Sequence, residues 1–149
     1  MKTDPYPTFI ITLAISFVIM HGVMFLNAAS VAHIHLSLTR TYMALLMVAA
    51  MALLMVLMMG HMYPNRSRNR AIMVSSIAVF VAALIGLRAQ VPVGDVQYMK
   101  AMIPHHSSAI LTSKNADFRD PEVRKLADEI IKAQEREIAQ MEAMLTRLK

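Results

Sequence analysis

The chain has no cysteine, no tryptophan and only four glycines in 149 residues, and its first 88 residues hold a single acidic side chain, Asp4. Without cysteine there are no disulfides, no thiolate metal sites and no dithiol redox chemistry. With so few glycines there is no phosphate-cradling loop and no nucleophile elbow, and no zinc-protease helix appears either. These absences leave little to support an enzyme, and none is expected. The chain does have fifteen methionines, six histidines and 56% hydrophobic residues, with a mean hydropathy of +0.47.

The apolar residues are segregated. Phe9 to Leu26 is 18 residues without a charge, Tyr42 to Met62 is 21 and Ala71 to Leu87 is 17. A hydrocarbon layer of ~30 Å needs about 20 apolar helical residues, so the pattern predicts three transmembrane helices, about 9–30, 41–62 and 70–88. The first run exceeds a secretory signal core and reads as a retained anchor. Residues 1–90 are expected to form the membrane domain, in contact with the lipid bilayer.

Charge sets the expected orientation. Ten of the fifteen Lys and Arg lie between Arg88 and Lys149 beside nine of the ten acids, so that part is nearly balanced. The excess is Arg66, Arg68 and Arg70, read as a loop after the second span. Such a cluster is a positive-inside signal and not a nucleic-acid surface. With Lys2 it predicts a cytoplasmic N-terminus. The loop around His33 and His35, and everything after Arg88, then faces the periplasm or the exterior of a bacterial plasma (inner) membrane, although Arg40 argues mildly the other way.

Residues 91–149 read as an extracytoplasmic helical hairpin. Val91-Pro92-Val93-Gly94 is the linker, and Asp95 is an N-cap candidate for a helix to about Ser113 that contains Pro104. Asp120-Pro121-Glu122 supplies cap, Pro and first-turn acid for a second helix. Ala127, Ile130, Ile131, Ile138, Met141 and Leu145 recur there at helical spacing, with Gln134 and Glu137 on the same stripe. A carboxylate and an amide in that position need partners or mark a site. Two helices bury too little to fold alone, so a homo-oligomer, dimer or higher, is expected to complete a four-helix bundle.

Tyr98 to His106 carries the chemistry. On a helix, Met99, Met102 and His106 fall within an arc of about 60°, with His105 on its flank. Thioether and imidazole without thiolate form a soft donor set that favours copper, Cu(I) most of all. A turn centred near residue 117 places Met99 opposite residues 135–139 and the two histidines opposite 128–133. The expected metal ligands are Met99, Met102, His105, His106 and Met141. Glu137, Gln134 and Asp95 are expected in supporting roles, and His33 and His35 as secondary metal contacts. The methionines of the second span, Met43 to Met62, recur every three or four residues. They read as adaptable packing or as a thioether ladder.

Asp95, Tyr98-Met99, Met102-Ile103, His105-His106 and Ala109, followed by Asp120-Pro121, Leu126-Ala127, Ile130, Gln134, Glu137-Ile138 and Met141, resemble the DUF305 family over residues 95 to about 145. The resemblance implies a ferritin-like helical bundle, often duplicated, in extracytoplasmic copper-binding proteins linked to copper tolerance. This chain carries one copy. A ferritin-like fold raises di-iron chemistry, but no Glu is followed three residues later by His, as such sites need. The expected function is therefore a membrane-anchored copper-binding protein that buffers or hands on Cu(I), with other copper-handling proteins as partners. The alternative is an accessory subunit of a membrane complex, in which Met and His serve only packing.

Overall fold

A computed structural model describes residues 4–148; Lys2 of the orientation argument lies outside them. The described residues form five α-helices and no strand: α1 Tyr6–Val23, α2 Leu38–Met58, α3 Arg66–Ala89, α4 Asp95–Asn115 and α5 Pro121–Arg147. Single 3-10 turns lie at Val31–His33 and Gly60–Met62. The chain divides into two compact units, one of 1–23 with 39–92, the other of 24–38 with 93–149. The connector between α1 and α2 thus belongs with α4 and α5, which a boundary near residue 90 does not capture.

In the first unit, α1, α2 and α3 are each long and apolar enough to cross a membrane. Their outward side chains are large and aliphatic, including Ile10, Ile15, Val18, Leu54, Leu57, Val74 and Ile77. What they turn inward is small: Ala44, Ala49 and Ala52 on α2, Ser76 and Ala83 on α3. Aromatic rings fill one end, where Tyr6, Phe9 and Tyr63 pack with Ala52 and Val56. The Tyr6 hydroxyl donates to Asn69 Oδ1 at 2.8 Å and accepts from the Asn65 backbone N–H at 3.1 Å, tying the start of α1 to the start of α3.

Several boundaries differ from the sequence reading. α2 runs Leu38–Met58 and not 41–62, the 3-10 turn Gly60–Met62 taking over beyond it. α1 stops at Val23 because the backbone beyond it is engaged elsewhere: Ala29 N–H donates to Ser107 Oγ at 2.8 Å, and the Asn27 amide donates to Ser108 Oγ at 2.8 Å. Arg66, Arg68 and Arg70 stand on the first turns of α3, since Asn65 caps it by accepting from Arg68 N–H. Arg68 also reaches Asp4 at 2.8 Å. That hydrogen bond, helped by the Tyr6 backbone N–H, holds the Asp4 carboxyl below the usual range. Asp95 is the first residue of α4 and not its cap, which is Gly94. Asp120 does cap α5, accepting from the N–H groups of Glu122 and Val123, with Pro121 opening the helix.

The second unit is built on α4 and α5, which pack against each other over a core of Met99, Ile103, Ile110, Ile138 and Leu145, flanked by Val96, Ile131 and Met141. α4 runs through Pro104, and Ile103, Pro104 and Ser107 are its most deeply buried side chains.

Candidate functional site

The backbone of α4 aims the histidines. Met99, Ile103, His106 and Ile110 are buried on one face at three- and four-residue spacing. His105, one position away, is exposed, its ring edge-on to that of His106 with centroids 6.1 Å apart. His106 is gripped at both nitrogens. Its Nδ1 lies 2.9 Å from the Met102 carbonyl, an acceptor only, so Nδ1 carries the hydrogen and donates. Its Nε2 lies 2.8 Å from Glu137 Oε2. Gln134 Nε2 donates to the same carboxylate oxygen at 3.4 Å. The Glu137 and Gln134 expected to need partners therefore find them in His106 and in each other.

The register between the helices differs from the symmetric-turn expectation. His106 meets Glu137 and not residues 128–133, so α5 is displaced there by roughly one to two turns (~5 Å each), and the long Lys114 side chain reaches along α5 to Glu135 at 2.9 Å. The reason lies in the connection: Ala116 and Asp120 are both extended, and the intervening stretch carries the chain past the end of α4 before α5 begins. An extended residue advances about 3.3 Å against 1.5 Å in a helix. Glu137 thereby reaches His106, and the level of Met99 falls nearer Met141 and Leu145.

The expected ligands divide between two environments. Met99 is buried in the shared core, with Met141 packed against that cluster. Met102 is half-buried and His105 exposed, on the flank of α4 that no element of the second unit covers. His106 stands between the two groups. Asp95 is exposed at the start of α4. Among the described residues, no group of three or more His, Asp or Glu could hold a metal ion. An ion held here therefore has to draw on methionine sulfur or on a second chain.

His33 and His35 lie on the other side of α4. His33 Nδ1 is 2.8 Å from Ser107 Oγ, and it borders a small cleft with Ile110, Glu135, Ile138 and Glu142. His35 borders a cavity of about 420 Å³ with Val96, Lys100, Glu142, Leu145 and Thr146. Ser107, Ser108 and Gln97, which accepts from Leu38 N–H at 3.1 Å, hold the connector to α4. Sequence reasoning missed all three. Their partners lie 59 to 81 residues away, and no periodicity spans that distance.

Residues 78–145 match the family described as a domain of unknown function, DUF305, so the match begins inside α3, ahead of the motif residues. The chain is also 37% identical over 125 residues to uncharacterized protein L153 of Acanthamoeba polyphaga mimivirus, covering 82% of this chain and 80% of that protein. No solved structure matches. The chain belongs to the DUF305 family.

Proposed function

We propose that this protein is a membrane-anchored copper-binding protein, held by α1, α2 and α3 with its N-terminus in the cytoplasm. In this reading α4 and α5 form an extracytoplasmic helical hairpin, half of a four-helix bundle, that buffers or hands on Cu(I). The observation that carries the reading is the setting of His106. Its Nδ1–H is committed to the Met102 carbonyl, which fixes the ring and leaves Nε2 as the coordinating atom. Nε2 faces a carboxylate at 2.8 Å, a place where a hydrogen bond now sits and a cation can stand instead. The neighbouring donors Met99, Met102, His105 and Met141 are soft or borderline, and the cysteine-free chain offers no thiolate, so copper suits the set better than calcium, magnesium or iron. Copper here is cargo.

The accessory-subunit reading has one observation in its favour. Met99 and Met141 pack with the buried isoleucines and Leu145, as core side chains do. A Cu(I) competition titration of the full chain in detergent separates the two. Met102→Leu keeps volume and apolarity, a swap that costs under ~1.5 kcal/mol of stability. We expect this variant and His106→Gln each to bind Cu(I) at least tenfold more weakly while keeping wild-type helicity, about 1.4 kcal/mol of binding energy. Equal affinity in all three proteins would leave a packing motif and no copper function.

A further inference from the structure

The two flanks of the α4–α5 layer are unlike. With 100° per residue, Gln97, Lys100 and Ser107 on α4 and Glu135, Ala139, Glu142 and Thr146 on α5 share one flank. This is where the connector lies, through Gln97, Ser107 and the two clefts that His33 and His35 border. The opposite flank carries Tyr98, Met102, His105 and Ala109 on α4, and Leu126, Ile130, Ala133, Glu137 and Met144 on α5. Among the described residues, no element of the second unit covers it. Tyr98 is 54% exposed, Leu126 56% and Met144 45%. On a helix pair otherwise dense in Lys, Arg, Asp and Glu, the middle of this stretch carries His105 and Glu137, with Asp95 seven residues before Met102 and Glu122 one turn before Leu126 at its two ends.

We infer that this open face takes a second copy of the chain, and that Met102 and His105 of the two copies close one soft-metal site between them. The inference rests on the copper reading and says where its missing donors come from. Within one chain Met99 and Met141 are packed in the core, so only Met102 and His105 stand beside His106 Nε2 outside it. Three donors from one helix, one of them now hydrogen-bonded to Glu137, hold Cu(I) weakly; Met102 and His105 of a second copy complete a shell of thioethers and imidazoles. A second copy also fits the face chemically. An imidazole and a carboxylate in its middle are ill suited to lipid, whereas its exposed Tyr98, Leu126 and Met144 meet apolar counterparts when the same face is repeated across a two-fold axis. Two such layers make the four-helix bundle that one pair of helices cannot.

The chain has no cysteine, so single cysteines report the face directly. In membranes, a short bis-maleimide should join Ala133→Cys into dimers and leave Ala139→Cys, on the connector flank, monomeric. Leu126→Arg, at an exposed position that should not disturb folding, should abolish the Ala133→Cys dimer and weaken Cu(I) binding at least tenfold; Met144→Arg should do the same. Dimers formed through Ala139→Cys and not through Ala133→Cys would overturn the assignment of the face. A monomeric Leu126→Arg with wild-type Cu(I) affinity would overturn the shared site and leave the copper reading standing. A wild-type dimer that binds no Cu(I) would remove the copper reading and the shared site with it.

Discussion

The two units of this chain use helices in opposite ways. The three long apolar helices point isoleucine, leucine and valine outward; α2 and α3 turn mostly alanine and serine inward, with the rings of Tyr6, Phe9 and Tyr63 packed on Val56 at one end. The α4–α5 pair buries Met99, Ile103, Ile110, Ile138 and Leu145, and adds His106 and Ser107 to its interior. In water the hydrophobic effect drives large apolar side chains together. Lipid supplies no such force between helices, and close approach of small residues does the work instead. The first unit has the pattern that a bilayer favours and the second the pattern that water favours, and an ionisable side chain, His106, is buried in the second.

The largest effect expected from this contrast is all-or-none. If the first unit spans a membrane with the three arginines inside, a membrane-impermeant maleimide added to intact cells should label Asp128→Cys fully and Ser67→Cys not at all. Both positions are exposed in their own units, which Ser107, fully buried, is not. The reverse pattern would place α4 and α5 in the cytoplasm and end the extracytoplasmic copper reading.

How much of this was legible depended on how local the signal was. Three spans and two further helices followed from apolar runs and from the Asp120-Pro121-Glu122 start, all signals confined to a few turns. The pairing of Glu137 was anticipated as a need but assigned to the wrong level, because the extended connection that displaces α5 has no signature beyond its ordinary residues 116–120. The connector's attachment to Ser107 and Ser108 was invisible, since it joins positions some 80 residues apart. The small residues Ala78, Ala82 and Gly86 recur every four positions along α3, a spacing that favours close helix packing. The inward residues are instead Ser76 and Ala83, with Gly86 at the ring of Tyr42, and Ala78 and Ala82 are exposed. Of the methionine run, Met43, Met47 and Met58 on α2 and Met62 in the following 3-10 turn are exposed, while alanines of α2 face inward. Spacing marks a face, and which face turns inward is decided by the neighbouring helices.

A next, smaller effect compares one isoleucine from each unit. Ile103 is fully buried in the second unit, and Ile15 is 54% exposed on α1. Ile103→Ala leaves a cavity and should destabilise the second unit by about 2–5 kcal/mol. If α1 spans a bilayer, Ile15→Ala removes methylenes that face lipid whether or not the helices are associated, so it should leave helix association unchanged. Thermal unfolding in lipid nanodiscs, followed by helicity, measures both. An Ile15→Ala loss as large as that of Ile103→Ala would mean α1 faces protein or water on that side.

The smallest effect tests close packing inside the first unit. A Cβ at Gly86 would stand 2.9 Å from Tyr42 Cζ and 3.0 Å from Cε1, while one at Gly22 would meet nothing within 4 Å. The Tyr42 ring cannot simply swing away, because its hydroxyl donates to the Val91 carbonyl. Gly86→Ala should therefore cost about 1–3 kcal/mol, the range for overpacking. Gly22→Ala meets no such obstacle and, at the penultimate residue of α1, should be neutral or gain less than the ~1 kcal/mol that alanine brings to a helix interior. The two glycines lie in helices of similar character, so the difference isolates the contact and not the residue type. Adding Tyr42→Leu should abolish the penalty: Gly86→Ala in that background should cost nothing beyond Tyr42→Leu alone. If Gly86→Ala is as harmless as Gly22→Ala, α2 and α3 are not held together at this point, and the small inward residues of the first unit are spacing without closeness.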